Sequence, residues 1–231
     1  LVKVEDVDEV NHFYDNVLVL RAKNYAALGN MLDAAGTLRK LLARTTPENR
    51  AEVALNLMIM NFNGGNYQEV LILGDVFSVY LKDVQFSKQK SLQLIADCLV
   101  GMSYMQQKEY KKSEEFLLRV QKAKERNDLT AKERKFLNES YYYLGWVYYK
   151  QSKYMDAATN FAAAGKLIKN IAMQQDALLM EGWCYYSSLD YQQAAVKFTE
   201  VFNRYYPSDC GMKALFQAAK SYQNLGNNSK A

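Results

Sequence analysis

One spacing of residues recurs along this chain and limits what it can fold into. From Gly145, offsets of 3, 9, 12, 16 and 19 residues land on Tyr148, Tyr154, Ala157, Phe161 and Ala164. From Gly182 the same offsets land on Tyr185, Tyr191, Ala194, Phe198 and Val201. Weaker copies start at Ala22, Met58, Gly101 and Ala219, so successive anchors are spaced by 36, 43, 44, 37 and 37 residues. In these copies Gly74 replaces an aromatic residue and Ser113 a small alanine. A period of this size marks stacked supersecondary units, each with an apolar face that only its neighbours can bury.

The units are helical. Only Pro47 and Pro207 interrupt 231 residues, and within each helix the steps between offsets are three or four, the helical period. Within a unit, the glycine and alanine allow two helices to approach closely, and tyrosine and phenylalanine fill the space to the next pair. Turn signals fall between the helices at 28–30 (LGN), 64–66 (GGN) and 225–227 (LGN). Thr46 ahead of Pro47 reads as a helix N-cap, and Thr130 with Glu133 as a capping box. The two long spacings predict longer helices over 110–128 and 131–150 rather than long loops.

This pattern resembles the tetratricopeptide repeat, a helix–turn–helix of about 34 residues. Residues 138–171 carry it best, with Tyr141, Leu144, Gly145, Tyr148, Ala157, Phe161 and Ala164; the following unit adds Pro207. The resemblance implies an all-α, right-handed superhelical solenoid of antiparallel helix pairs, with about five and a half repeats. It divides the chain into a lead-in over 1–14 and repeats at about 15–50, 51–93, 94–137, 138–174, 175–211 and a partial 212–231. The last unit stops within its second helix and the chain begins at Leu1 without methionine, so a longer protein with a further segment at either end is expected.

Composition argues against several functions. The net charge of +4 is too small to point to nucleic acid, and the lysines of 106–135 alternate with glutamates as on a solvated helix face. No apolar run reaches the roughly 20 residues that span a bilayer. Cys98, Cys184 and Cys210 form no C-x-x-C pair and read as buried thiols, with a Cys184–Cys210 pairing left open. The one histidine, His12, precedes the repeats and has no partnered constellation, so it reads as a surface or packing residue. Residues 63–65 (NGG) lack the Lys-Ser/Thr of a phosphate loop. Asn138 and Asn227 open glycosylation triplets of a kind common by chance. No cofactor and no metal are expected, and no enzymatic activity.

What remains is binding. In the family that the chain resembles, certain residues of each first helix face the concave groove. The resemblance places Leu55, Ile59, Phe62, Met102, Met105, Tyr142, Trp146, Tyr149, Trp183 and Tyr186 there, while Tyr141 and Tyr148 take packing positions. In the sixth unit the groove set turns polar, with Lys213, Phe216, Lys220 and Gln223. Lys23, Ile59 and Met102 occupy one groove position in successive repeats, so the Lys/Asn/Arg clamp that some relatives use for a free C-terminal carboxylate is missing.

An apolar, aromatic groove implies a protein or peptide partner with an apolar or aromatic segment, held by a non-enzymatic scaffold. The competing reading is that the rings pack only on the next repeat. A regulatory or assembly domain of a larger enzyme, secretion or motility machine, or a cytosolic adaptor, is the alternative, and self-association is left open. The C-terminal stretch, with Phe202, Tyr206, Pro207, Ser208, Ala214, Leu215, Ala218, Leu225 and Gly226, resembles bacterial envelope repeat proteins of the Tol-Pal-associated and outer-membrane assembly lipoprotein types. That resemblance implies the bacterial envelope; the cytoplasm is the other expectation.

Overall fold

The computed structural model describes residues 4–226, with side chains described from Tyr14 onward except at 86 and 87. His12 lies in a helix but its side chain is outside the described set, as is the triplet at Asn227. Eleven α-helices and no strand are found among the described residues. The chain divides into two compact units, residues 1–108 and 109–231.

The first unit holds α1 (Val4–Ala27), α2 (Met31–Arg44), α3 (Pro47–Asn63), α4 (Tyr67–Tyr80) and α5 (Phe86–Gln106). Residues 4–14, read as a lead-in, are continuous with the first helix. Each helix packs on the next, and α3 also meets α5. The core is mostly aliphatic, with Ala34, Ala51, Ala54, Met58 and Val70 at most 1% exposed alongside Phe77. Arg44 pairs with Asp15 at 3.0 Å and lies over the Tyr14 ring, and Arg39 pairs with Glu69 at 2.7 Å.

The second unit holds α6 (Tyr110–Gln121), α7 (Ala131–Lys150), α8 (Tyr154–Leu167), α9 (Ile171–Ser187), α10 (Tyr191–Tyr205) and α11 (Asp209–Asn224). Consecutive helices again pack together from α6 to α11. The third repeat of the sequence pattern is thus shared between the units, with α5 in one and α6 in the other.

The turns explain why one pattern serves all repeats. The residue seven places beyond each anchor adopts a left-handed backbone: Gly29, Gly65, Lys108, Ser152, Leu189 and Gly226, with φ between 61° and 78°. In at least four of these turns the next residue's amide reaches back five places, as from Asn30 to the Tyr25 carbonyl (2.8 Å) and from Asp190 to the Tyr185 carbonyl (2.9 Å). Carbonyls left over at the helix end are satisfied in this way, and the chain reverses in three residues. Glycine fits the left-handed position without strain; lysine, serine and leucine do not.

The anchor glycines are where the helices touch. A Cβ on Gly145 would lie 2.8 Å from Phe161, and one on Gly182 would lie 2.6 Å from Phe198. Both phenylalanines are fully buried, so the glycine is the space the ring occupies.

The two longer spacings are filled differently from the expectation. Helix α7 spans 131–150 as predicted, opened by the Thr130–Glu133 capping box, in which Glu133 Oε2 accepts from the Thr130 amide at 2.8 Å. But α6 ends at Gln121 rather than near 128, and a 3-10 turn follows over Lys122–Glu125. Arg126 then grips Asp128 through two bonds of 3.0 Å, which stabilises the non-helical Asn127–Asp128 corner. At Thr46 the N-cap position and Pro47 at N1 are as expected, although the threonine side chain makes no capping bond.

Candidate functional site

In the second unit the first helices of successive pairs, α7, α9 and α11, carry a strip of aromatic rings. Along α7, Tyr142, Trp146 and Tyr149 are spaced by four and three residues and share one helical face. Their ring centroids lie 6.5 and 6.0 Å apart in edge-on arrangement. On α9, Trp183 and Tyr186 repeat the pattern at 5.5 Å. Each tryptophan stands edge-on to the phenylalanine of its own pair: Trp146 is 5.7 Å from Phe161 and Trp183 is 5.7 Å from Phe198. Such pairs are stabilised by ring quadrupoles beyond the area they bury.

The hydroxyls tie one repeat to the next. Tyr142 donates to Asp176 Oδ2 at 2.7 Å. Tyr149 and Ser187 share a hydrogen bond of 3.1 Å, and Asn224 donates to the Tyr186 hydroxyl at 2.9 Å. Burial, with the Asp176 carboxylate adding to it, pushes the Tyr142 hydroxyl well above its ordinary 10, so it stays a donor. On α11 the residue equivalent to Tyr142 is Phe216, which is 58% exposed, with the Lys220 ammonium 4.6 Å from its ring centre.

All five rings placed in the groove by sequence on α7 and α9 are half-buried, and all pack against the unit's core. Tyr141 and Tyr148, read as packing residues, are half-buried against the same core. The rings therefore fill space within the solenoid while leaving part of each face exposed. In the first unit, Ile59 and Phe62 on α3 and Met105 on α5 are half-buried. Leu55 and Met102 are corrections: each is only 2% exposed. Both are buried and present no side chain to a partner.

The sequence reading did not anticipate the hydroxyl ladder. Its signal was present, because Ser187 and Asn224 lie at the same offset of five residues from their anchors.

The remaining polar candidates resolve simply. All three cysteines are free thiols, so no Cys184–Cys210 bond exists. Burial pushes the Cys184 thiol up to about 12, which leaves it protonated and unreactive. Asn138 lies within α7 and donates its amide to the Leu167 carbonyl at the end of α8 at 3.0 Å. Among the described residues no group of three or more His, Cys, Asp or Glu side chains could hold a metal ion, and no helix is long and apolar enough to cross a membrane.

Comparison with known proteins bears on the fold. A family model described as a tetratricopeptide repeat matches residues 176–208. No curated protein matches the sequence. Among solved structures, the apo form of RapI is similar with a TM-score of 0.70 at 11% identity, over 97% of this chain and 67% of that one. A tetratricopeptide repeat protein from Parabacteroides merdae ATCC 43184 is similar with a TM-score of 0.64 at 15% identity, over 94% and 75%. YrrB, a tetratricopeptide-repeat protein with an unusual peptide-binding site, is similar with a TM-score of 0.62 at 18% identity, over 85% and 87%. At these identities the likeness is one of fold. The chain thus carries a tetratricopeptide repeat at 176–208 and has the tetratricopeptide-repeat fold, a helical-repeat architecture that generally serves as a non-enzymatic protein-interaction scaffold.

Proposed function

We propose that the aromatic strip on α7, α9 and α11 binds an extended or helical peptide segment of a protein partner through apolar and aromatic side chains. The observation that carries this reading is the strip itself. Trp146 and Trp183 occupy equivalent places, are preset by Phe161 and Phe198, and keep part of their surface exposed, and Phe216 on α11, equivalent to Tyr142, is exposed as well. Rings held in place before binding lose little freedom on association, and Trp and Tyr dominate binding hot spots. The peptide-binding site of YrrB, which shares the fold, supports the same use here. Ile59, Phe62 and Met105 offer half-buried apolar surface on the first unit for the same purpose. A role in bacterial envelope assembly rests on the C-terminal resemblance alone and is the narrower form of this proposal.

Peptides selected from a random library against the whole chain test it. Selected sequences should be rich in Phe, Trp, Leu or Met. Their affinity should fall at least tenfold, or about 1.4 kcal/mol, in Trp183→Ala and in Phe216→Ser. The second change lies on an exposed side chain and leaves the fold intact. Selected peptides that bind both variants as tightly as the parent would overturn the proposal.

A further inference from the structure

A cavity of about 570 Å3 opens at the start of α7, a size suited to a small ligand or a pair of side chains. Helix α7 begins 14 residues before its anchor Gly145, whereas α9 begins 11 before Gly182. About one extra turn of α7 therefore overhangs the α8–α9 connection, and the cavity lies beneath it. The floor is apolar, with Leu129 and Ile168 buried.

The rim is cationic. Arg134, Lys135 and Lys169 line it together with one carboxylate, Glu139. Lys135 stands 3.8 Å from Glu139, whereas Arg134 and Lys169 have no carboxylate within ion-pair distance among the described residues. The walls are already tied. Arg134 Nη2 donates to the Leu129 carbonyl at 3.3 Å, Asn138 to the Leu167 carbonyl at 3.0 Å and Gln174 to the Ile168 carbonyl at 3.1 Å. Glu139 also precedes Tyr142 by one turn on the same helix, so the cavity continues the aromatic strip.

We infer that this cavity anchors an acidic side chain, Asp or Glu, in the same partner segment whose apolar residues lie on the strip; the inference rests on that reading. The guanidinium of Arg134 and the ammonium of Lys169 supply charge-assisted donors to one carboxylate. The apolar floor takes its methylene stem or an adjoining aliphatic residue. Glu139 at the rim sets the limit, because it repels a multiply charged phosphate chain and tolerates a single carboxylate beside two free cations. The partner is therefore an acidic, aromatic peptide rather than a nucleic acid.

The test titrates the whole chain with a capped peptide, Glu-Glu-Phe-Leu-Trp-Glu-Glu, and with its counterpart in which every Glu is Gln. Circular dichroism checks the fold of each variant. The acidic peptide should bind at least tenfold more tightly and lose that advantage in 0.5 M salt, and the Arg134→Gln/Lys169→Gln double variant should bind both peptides alike. Ala131→Trp, which fills the cavity from an exposed position, should act like the double variant. Equal binding of the two peptides to the parent chain would overturn the inference and leave the strip reading standing. Acid-dependent binding that Trp183→Ala does not weaken would sink the strip reading and leave the cavity. If neither peptide binds, both fail. If dodecanoate binds in the cavity and the acidic peptide does not displace it, the peptide assignment is overturned.

Discussion

The hydroxyls of Tyr149 and Ser187 meet at 3.1 Å between α7 and α9, and one repeat later Asn224 makes the matching bond to Tyr186 at 2.9 Å. Tyr149 and Tyr186 are equivalent residues, as are Ser187 and Asn224. The solenoid thus reuses one polar contact to set how successive first helices meet. The first bond is partly shielded and worth about 0.5–1.5 kcal/mol net, whereas the second is exposed and worth about 0.5 kcal/mol or less. We expect Tyr149→Phe to lower the unfolding free energy by that amount and Tyr186→Phe by less, each read as a lower urea midpoint with an unchanged denaturant slope. A midpoint within error of the parent for both would show that the ladder only orients the rings.

Glycine substitutions should sort by what their new methyl group meets. Gly182→Ala drives a Cβ to 2.6 Å from the buried ring of Phe198, which has no room to move. We expect a loss of roughly 1–3 kcal/mol. Gly36 lies within α2 with nothing within 4 Å of a built Cβ. Gly36→Ala should instead stabilise the protein by about 0.5–1 kcal/mol through helix propensity. Opposite signs in chemical denaturation confirm the packing role of the anchor.

The left-handed turn positions offer a gain in stability. Leu189 holds φ of 65° and is 70% exposed, and Ser152 holds φ of 61°. Neither side chain is needed for packing at that turn. Leu189→Gly and Ser152→Gly remove strain of about 1–2 kcal/mol, less what glycine adds to the freedom of the unfolded chain. We expect thermal midpoints to rise for both. A fall would mean that the side chain makes contacts worth more than the strain.

Glu181 supplies a pH-dependent contribution. It is 6% exposed and 3.2 Å from Lys197 Nζ. Burial is the dominant influence and holds its carboxyl above the ordinary 4.5, against the opposing pull of Lys197. Such a group binds its proton more tightly in the folded chain than in the unfolded one. Its contribution is fully present below pH 4.5 and is lost as pH rises through the raised folded value. Burial lowers Lys197, but Glu181 and Glu200 together outweigh it and hold the amine above 10.5, so it stays charged throughout this window. We expect the unfolding free energy of the parent, less that of Glu181→Gln, to fall as pH is raised from 4.5 and then level off. A difference that stays flat over this range would show that the ion pair fully offsets the burial.

The helix-pair architecture was legible in the sequence because it rests on local physics repeated many times. Tyr148, Ala157, Phe161 and their counterparts recur at the helical period, and each turn needs one left-handed residue at the same offset. The capping box at Thr130 and Glu133 is equally local, since both partners lie within one turn. The α6 boundary was less legible, because Arg126 and Asp128 close a corner that helical periodicity does not register.

The site divides in the same way. The family resemblance placed Tyr142, Trp146, Tyr149, Trp183 and Tyr186 on the groove side, and their spacing puts those on each helix on one face. It placed Leu55 and Met102 there too, and burial removed them, since how far a neighbouring pair wraps a helix depends on interhelical packing. Only the tertiary structure set the rings edge-on to Phe161 and Phe198 and joined their hydroxyls to Asp176, Ser187 and Asn224. It alone brought Arg134 and Lys169, 35 residues apart, around one cavity. Periodicity along a chain determines which residues share a helix face; the distance and angle at which two helices meet determine what that face can hold.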